Sequence, residues 1–333
     1  MRNMGSKGTG LSRRELLKGA SAGALAVGFG GVFGAAAKTV QAQNAAGYTP
    51  TPSAFVTFTA GDAQVTVIQD GNTVFDPTFF AVNAPPEEVA ALMEANNLPS
   101  PVLSTFNITL VRTGDRVVLI DTGVGANALD PSQPPTAGRL LPTLESLGIA
   151  AADVTDVVLT HFHPDHLFGL GDGSSIFYPN AAIYFPQAEF DFLQNGVTGN
   201  EQIDGLIAAA NGFLAPAQAS DQLTLYTEGE ILPGFTAVPS PGHTPGHTAI
   251  MFTSGSDSVL SIADAATHPV ISLQHPEWYL GFDAVPDAAV ESRRSILDMA
   301  ATDRIKVIGY HFSFPGVGYV VAEGDGYNFV AQV

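Results

Sequence analysis

The stretch Thr160-His161-Phe162-His163-Pro164-Asp165-His166 places three imidazoles and a carboxylate within six consecutive residues. It follows directly on Val157-Val158-Leu159, an apolar run with the β-branched character of a buried strand. Four side chains able to hold a metal therefore sit at the end of one strand. In extended backbone alternate side chains share a face, so His161 and His163 are placed to grip one cation, while Asp165 and His166, beyond Pro164, turn toward a second. Neutral imidazole together with carboxylate suits zinc or a similar first-row metal. Three of the chain's eight histidines fall here, which makes an incidental polar loop a poor account of the pattern.

Other segments carry matching chemistry. Upstream, Asp121 closes the apolar run Arg116-Val117-Val118-Leu119-Ile120 and is placed to accept a hydrogen bond from a ligand histidine. The following Thr122-Gly123-Val124-Gly125 has two glycines of a dinucleotide fingerprint, but the third is missing and Leu129-Asp130-Pro131 does not continue as a helix, so that reading is set aside. Downstream, Ser240-Pro241-Gly242-His243-Thr244-Pro245-Gly246-His247-Thr248 offers histidines on a glycine-flanked loop, where backbone can approach an ion closely. Spacing alone does not choose between His243 and His247. Ser261-Ile262-Ala263-Asp264 ends another apolar strand in a carboxylate placed to bridge two cations, and Gly309-Tyr310-His311 repeats the strand-then-ligand arrangement.

Composition narrows the function. The N-terminal Ser12-Arg13-Arg14-Glu15-Leu16-Leu17-Lys18, a Gly/Ala-rich run from Gly19 to Ala37 and Val40-Gln41-Ala42 read as a twin-arginine export signal over residues 1–42, cleaved near Gln43. The expected product is exported folded to the periplasm or beyond, with a linker at 43–53 and one domain over 54–333. No later stretch approaches a transmembrane length, so no stable membrane insertion is expected after cleavage. Residues 1–42 hold six of the thirteen basic residues and one of the thirty-two acids, which leaves a mature net charge near −24. Such a field repels nucleic acid and disfavours anionic substrates. The absence of cysteine removes thiolate ligands and disulfides, and the one GxSxG, Gly19-Ala20-Ser21-Ala22-Gly23, falls within the expected signal, which leaves no such motif in the expected domain to support a serine nucleophile.

The remaining chain alternates strand and helix. Residues 55–58 and 65–68 read as a hairpin across Gly61-Asp62, Pro85 to Met93 as a helix, and 106–111 with 116–121 as a second strand pair. Helices follow at 140–147, 187–193, 201–210 and 286–301, and strands at 182–185, 223–226, 235–238, 249–252, 259–262 and 305–309. Phe168, Trp278, Tyr279 and Phe282 are candidates to line an apolar substrate pocket. His268 and His275 stand in a loop that either covers the pocket or packs ordinarily. His247 is read as supporting its loop by hydrogen bonding.

With these elements in this order, the chain from about Phe106 to the C-terminus resembles the metallo-β-lactamase-fold hydrolases, whose fold is a four-layer αββα sandwich. The HxHxDH pattern of that family is matched by His161, His163, Asp165 and His166, its next histidine by His243, its bridging acid by Asp264 and its last histidine by His311. Ala263 departs from the glycine usual in the family. The stretches His243 to Thr248 and His311 to Gly318 are similar to the subgroup that contains methyl parathion hydrolase and related lactonases. The resemblance implies two divalent ions, zinc foremost, one held by His161, His163 and His243 and the other by Asp165, His166 and His311, with Asp264 between them. Paired ions about 3.5–4 Å apart make a bridging hydroxide near neutral pH, with Asp165 available to relay a proton. The implied substrate is a small neutral or apolar ester, lactone or phosphotriester, handled by a monomer or a homodimer. A glyoxalase-II-like thioester hydrolase would want a basic grip that seven basic residues hardly provide, and a non-catalytic periplasmic metal or ligand-binding module would not need the full ligand set.

An acidic surface of this kind also predicts salt dependence, because counterions screen its self-repulsion. The melting temperature is expected to rise as sodium chloride is raised from low to molar concentration, as read by circular dichroism. A flat or falling profile would refute the expectation.

Overall fold

The computed structural model describes residues 52–125 and 137–333. The expected signal, most of the linker and Leu129-Asp130-Pro131 lie outside the described residues. The first half of the chain contributes β1 (Phe55–Ala60), β2 (Ala63–Phe75), α1 (Pro86–Ala95), β3 (Val102–Thr113), β4 (Arg116–Ile120), α2 (Leu140–Ser146), β5 (Asp156–Val158), α3 (Pro164–Leu167), β6 (Ala182–Pro186), α4 (Gln187–Asn195), α5 (Glu201–Ala219) and β7 (Leu223–Tyr226). The second contributes β8 (Gly229–Leu232), β9 (Phe235–Pro239), β10 (Thr248–Ser254), β11 (Asp257–Ser261), α6 (Ile271–Gln274), α7 (Pro286–Thr302), β12 (Lys306–Ile308), β13 (Val317–Glu323) and β14 (Gly326–Ala331).

One sheet orders its strands β1 to β7 as they occur in the chain; the other runs β14-β13-β12-β11-β10-β9-β8. Pairing is parallel from β4 through β7 and between β11 and β12, and antiparallel elsewhere. Alternation along the strands divides the apolar residues between layers. Val118 and Ile120 of β4 meet Ile250 and Phe252 of β10 and Ile308 of β12 in the core between the sheets. Leu119 faces the other way, toward α2 and α5 through Leu144 and Leu214. Behind the second sheet, Leu260 and Val307 pack on Ile296 and Leu297 of α7. The result is the expected αββα sandwich.

Local sequence accounts for most element ends. Pro86 with Glu87 and Glu88 opens α1, where a missing N–H costs nothing and acids complement the helix dipole. Asn200 accepts hydrogen bonds from the amides of Gln202 and Ile203 to start α5. That helix runs past the expected end at residue 210 and carries Pro216 inside it, because its buried face continues through Phe213, Leu214 and Ala217. The strands β8, β13 and β14 were not apparent in the pattern: each has an exposed end that dilutes alternation.

The architecture sends every candidate ligand to one region. Asp121 follows β4, His161 to His166 follow β5, His243 lies between β9 and β10, Asp264 follows β11 and His311 follows β12. Carboxyl ends of parallel strands open such a crevice in α/β folds. The Asn107 side-chain amide of β3 donates to the carbonyls of Gly309 and Phe312 at 3.0 and 2.7 Å, fastening the first sheet to the His311 loop.

Asp70, a fully buried residue of β2, is the internal anchor on the other flank. Its carboxylate accepts from the amides of Leu140, Gly138 and Val124 at 2.8, 3.1 and 3.3 Å. Burial raises its pKa, against the opposing pull of these amides. Gly123 is required beside it, because a Cβ there would stand 2.5 Å from the Asp70 carboxylate in a backbone at φ +75°. Asp70→Ala leaves those amides buried without an acceptor, and is expected to cost about 2–4 kcal/mol in urea unfolding. An unchanged midpoint would count against the anchoring role.

Candidate metal centre

The described fold brings seven of the candidate ligands together. Ligand atoms of His161, His163, His243 and Asp264 lie within 4.8 Å of one another, and so do those of Asp165, His166 and His311. The Asp264 carboxylate stands between the two groups: Oδ1 is 3.1 Å from His166 Nε2, and Oδ2 is 3.2 Å from both His243 Nε2 and His311 Nε2. Asp165 Oδ2 lies 3.4 Å from His311 Nε2 and 3.7 Å from His166 Nε2.

The outer nitrogens define what the inner ones can do. His166 Nδ1 is 2.8 Å from Asp121 Oδ2, His243 Nδ1 is 3.2 Å from Asp283 Oδ1, and His311 Nδ1 is 3.0 Å from the Thr105 carbonyl. Carboxylate and carbonyl oxygens only accept, so each Nδ1 donates. His161 Nδ1 contacts the Thr160 hydroxyl at 3.1 Å, and that hydroxyl is committed as a donor to Asp121. In the neutral rings of all four, Nε2 therefore presents a lone pair inward. His163 presents Nδ1 instead, 3.1 Å from His161 Nε2 and 2.9 Å from His243 Nε2.

Three ring nitrogens facing one another at such distances cannot all be satisfied by the hydrogens available. A cation satisfies them at once. Among the described residues, the buried His166 Nε2 and Asp264 Oδ1 also make no hydrogen bond. The donor set thus fits a pair of divalent ions bound by nitrogen and oxygen.

Electrostatics carry the same demand for positive charge. Burial pushes His243 down, but Asp264 and Asp283 lift it to about 9. Burial likewise opposes the charge on His166, which Asp264, Asp121 and Asp165 nevertheless carry well above the usual histidine range. Burial and the neighbouring imidazoles hold His161 and His163 well below it. Asp264, despite its burial, stays well below the usual carboxylate range because His311, His166 and His243 surround it.

The supporting residues come from several elements. Asp121, at φ +63°, accepts from the Thr160 amide and hydroxyl as well as from His166. The Nε2 of His247 accepts the Asp264 amide at 3.0 Å, and its Nδ1 contacts the Ser240 carbonyl at 3.1 Å. Both of its nitrogens are thereby used, which separates it from His243. Tyr310 stacks on His166 with ring centroids 3.9 Å apart, and its hydroxyl donates to the Asp165 carbonyl. Ala263 is buried at φ +43°, a left-handed conformation that glycine adopts without steric cost, in line with the glycine that the resemblance led one to expect there.

The loop carrying His243 is seated on two helices. A Cβ on Gly242 would stand 2.1 Å from the Ala289 nitrogen of α7, and one on Gly246 2.3 Å from the Glu189 nitrogen of α4. Glu189 is fully buried and accepts from the Gly246 amide and the Thr244 hydroxyl; burial raises its pKa to about 7 against these bonds.

The pocket candidates divide. Phe282 is half-buried with its ring 6.3 Å from that of His163, and Phe79, 4.4 Å from Phe282, extends an apolar surface outward with Phe75. Phe168 stacks on Phe213 at 4.2 Å and belongs to the core behind the first sheet, a correction to the pocket expectation. Trp278 is buried against His275 in the same apolar cluster as Phe75, Phe79 and Phe282, and Tyr279 points to the surface, where its hydroxyl bonds Asp287. His268 is core-like, its Nδ1 accepting from the amides of Val270 and Ile271, and burial lowers its pKa to about 4. Asp283, Arg293 and Glu189 had no recognisable signal, since each lies outside any ligand motif.

Two mixed sheets flanked by helices, with a histidine and aspartate centre at the strand ends, define the class as a metallo-β-lactamase-type sandwich. Residues 106–311 match the Metallo-beta-lactamase superfamily, and the chain belongs to it. A probable metallo-hydrolase of Mycobacterium tuberculosis is 28% identical over 211 residues, 55% of this chain and 66% of that protein. The chain therefore spans just under two thirds of this relative. Among solved structures, AidC, a dizinc quorum-quenching lactonase in complex with a product N-hexnoyl-L-homoserine, is 27% identical with a TM-score of 0.78 over 84% of this chain and 98% of its own. The hydrolase AbOPH of the β-lactamase superfamily is 25% identical with a TM-score of 0.77, over 86% and 99%.

Removing Asp121 leaves His166 Nδ1 and the Thr160 amide without their buried acceptor. Asp121→Ala is expected to weaken zinc binding about 10- to 100-fold in a chelator competition, with the far-ultraviolet spectrum retained. Equal affinity would show that Asp121 does not orient His166.

Proposed function

We propose that this chain is an exported, metal-dependent hydrolase that uses two divalent ions, zinc foremost, to cleave a small neutral ester, lactone or phosphotriester. The observation that carries the reading is the Asp264 carboxylate standing between two groups of lone-pair donors, with the outer nitrogens of His166, His243 and His311 committed to acceptors. The ligands are His161, His163 and His243 on one side and Asp165, His166 and His311 on the other, with Asp264 shared. When bound, such ions supply an activated water and a Lewis acid for the attacked oxygen.

The chain's own residues supply the rest. Asp121, Asp283 and the Thr105 carbonyl hold three ligand imidazoles in one tautomer and orientation. Asp165 has the most accessible carboxylate of the centre, with 15% of its side chain exposed against 5% for Asp264. It is accordingly placed to take up the proton released as water attacks. Phe282 and Phe79 offer an acyl or aryl group an apolar surface beside His163 and exclude water from it.

Neutral substrates are favoured by charge. The nearby Arg293 has its guanidinium engaged by three carbonyls and Asp283, which leaves no basic grip there for an anionic thioester. The similarity to a lactonase supports ester-type chemistry, that to AbOPH supports hydrolysis, and the choice among esters is left to the wall. Export rests on the twin-arginine pattern at Arg13-Arg14.

The test is a panel of an aryl ester, an N-acyl homoserine lactone and an aryl phosphotriester on metal-quantified protein. His163→Ala is expected to lower bound zinc and to reduce turnover of the best substrate roughly a hundred-fold or more. Full activity with undiminished zinc would overturn the ligand assignment, and inactivity of loaded wild type toward all three would favour a binding module.

A further inference from the structure

Arg293 sits on α7 and is only 2% exposed. Its Nε donates to the Ala265 carbonyl at 2.9 Å, its Nη1 to the carbonyls of Pro276 and Trp278 at 2.8 and 2.7 Å, and its Nη2 to Asp283 Oδ2 at 3.2 Å. Ala265 follows Asp264. Asp283 turns its other oxygen to His243 Nδ1. Pro276, Trp278 and Asp283 belong to the irregular segment 276–283, which carries Phe282 past His163. One planar guanidinium therefore joins the turn after Asp264, the partner of His243 and the segment that presents the apolar wall.

Other bonds also tie that segment to the rest of the chain: the Val82 amide to the Tyr279 carbonyl, the Gly281 amide to the Phe79 carbonyl, Asn83 with the Glu277 carbonyl and the Tyr279 amide, the Tyr279 hydroxyl to Asp287 and Arg294 to Glu277. Arg293 differs from them in also reaching the Ala265 carbonyl beside Asp264. A lysine could retain the charge opposite Asp283, but its single ammonium cannot span the three carbonyls as the rigid fork does. A cation on His243 Nε2 makes the Nδ1–H a stronger donor to Asp283, and Asp283 is fixed to Arg293.

We propose that Arg293 is a positioning residue that couples filling of the metal centre to ordering of residues 276–283, and so sets the Phe282 wall against the bound substrate. The proposal rests on the reading of His243 and Asp264 as metal ligands. Coupling of this kind is reciprocal: what orders the segment tightens metal binding, and metal binding orders the segment.

The decisive measurement is amide hydrogen exchange on the wild-type chain, stripped by chelator and then reloaded with zinc. Exchange within 276–283 is expected to slow about ten-fold on loading. Trp278 is the only tryptophan in the chain, so acrylamide quenching of its fluorescence gives a second reading of the same segment. In Arg293→Lys the zinc-dependent change should largely vanish while zinc still binds, and KM for an aryl ester should rise about ten-fold with kcat within about three-fold. A fastener with no such role would lower the melting temperature yet leave KM and the zinc response of Trp278 as in wild type, which overturns the proposal. Should Arg293→Lys fail to fold, the exchange experiment on wild type decides alone. Zinc uptake without change in 276–283 overturns this coupling only, whereas failure to take up zinc overturns the ligand reading and this proposal with it.

Discussion

A carboxylate taken out of water must be met by positive charge, and Asp264 is where this molecule meets that requirement. Its side chain is nearly buried and has three imidazole Nε2 atoms within 3.2 Å. Protons on the inward nitrogens can supply the charge only partly, because burial and the neighbouring imidazoles hold His161 and His163 well below the usual histidine range. Divalent ions would supply it while the bonds on the outer nitrogens of His166, His243 and His311 stay in place. The demand explains why so many polar groups accumulate between two otherwise apolar sheets, where an unpaired one would cost several kcal/mol.

Meeting it depends on long-range structure. The candidate ligands arrive on loops after β5, β9, β11 and β12, and their acceptors on β3, just after β4 and in the 276–283 segment. No half of the centre is complete within one sheet. Contacts such as Asn107 to the His311 loop and Asp70 to the amides around Gly138 therefore serve the site even though they touch no ligand. The glycines of the His243 loop have the same logic, since α4 and α7 leave no room for a Cβ at Gly246 or Gly242.

What could be read from the chain was what is local. His161 to His166 carry their meaning in six residues because strand geometry alone fixes which side chains share a face. The apolar runs of β4 and β10 were equally plain, since each strand is largely buried on both faces. Asp283 escaped notice because a lone carboxylate in a loop looks like a turn residue until His243, forty positions earlier, is brought to it. Phe168 misled for a related reason: proximity to the motif in sequence says nothing about the side of the sheet to which a helical residue turns, and this one turns to Phe213. The α5 extension was hidden by Pro216, a residue that usually ends a helix but here sits in its last turn.

Charge then constrains chemistry at two scales. Over the whole chain, acids outnumber bases heavily, so an anionic molecule is repelled before it reaches the crevice. At the site, Arg293 could have neutralised a substrate anion, but its donors are directed to Ala265, Pro276, Trp278 and Asp283. With the guanidinium so engaged, the charge of bound ions would face the apolar surface of Phe282 and Phe79. A substrate that gains from both must put a polarisable oxygen on one side and carbon on the other, without a formal charge of its own. Esters, lactones and phosphotriesters share that form, and under the proposed function selection among them would fall to how closely the 276–283 segment holds the wall to the reacting oxygen.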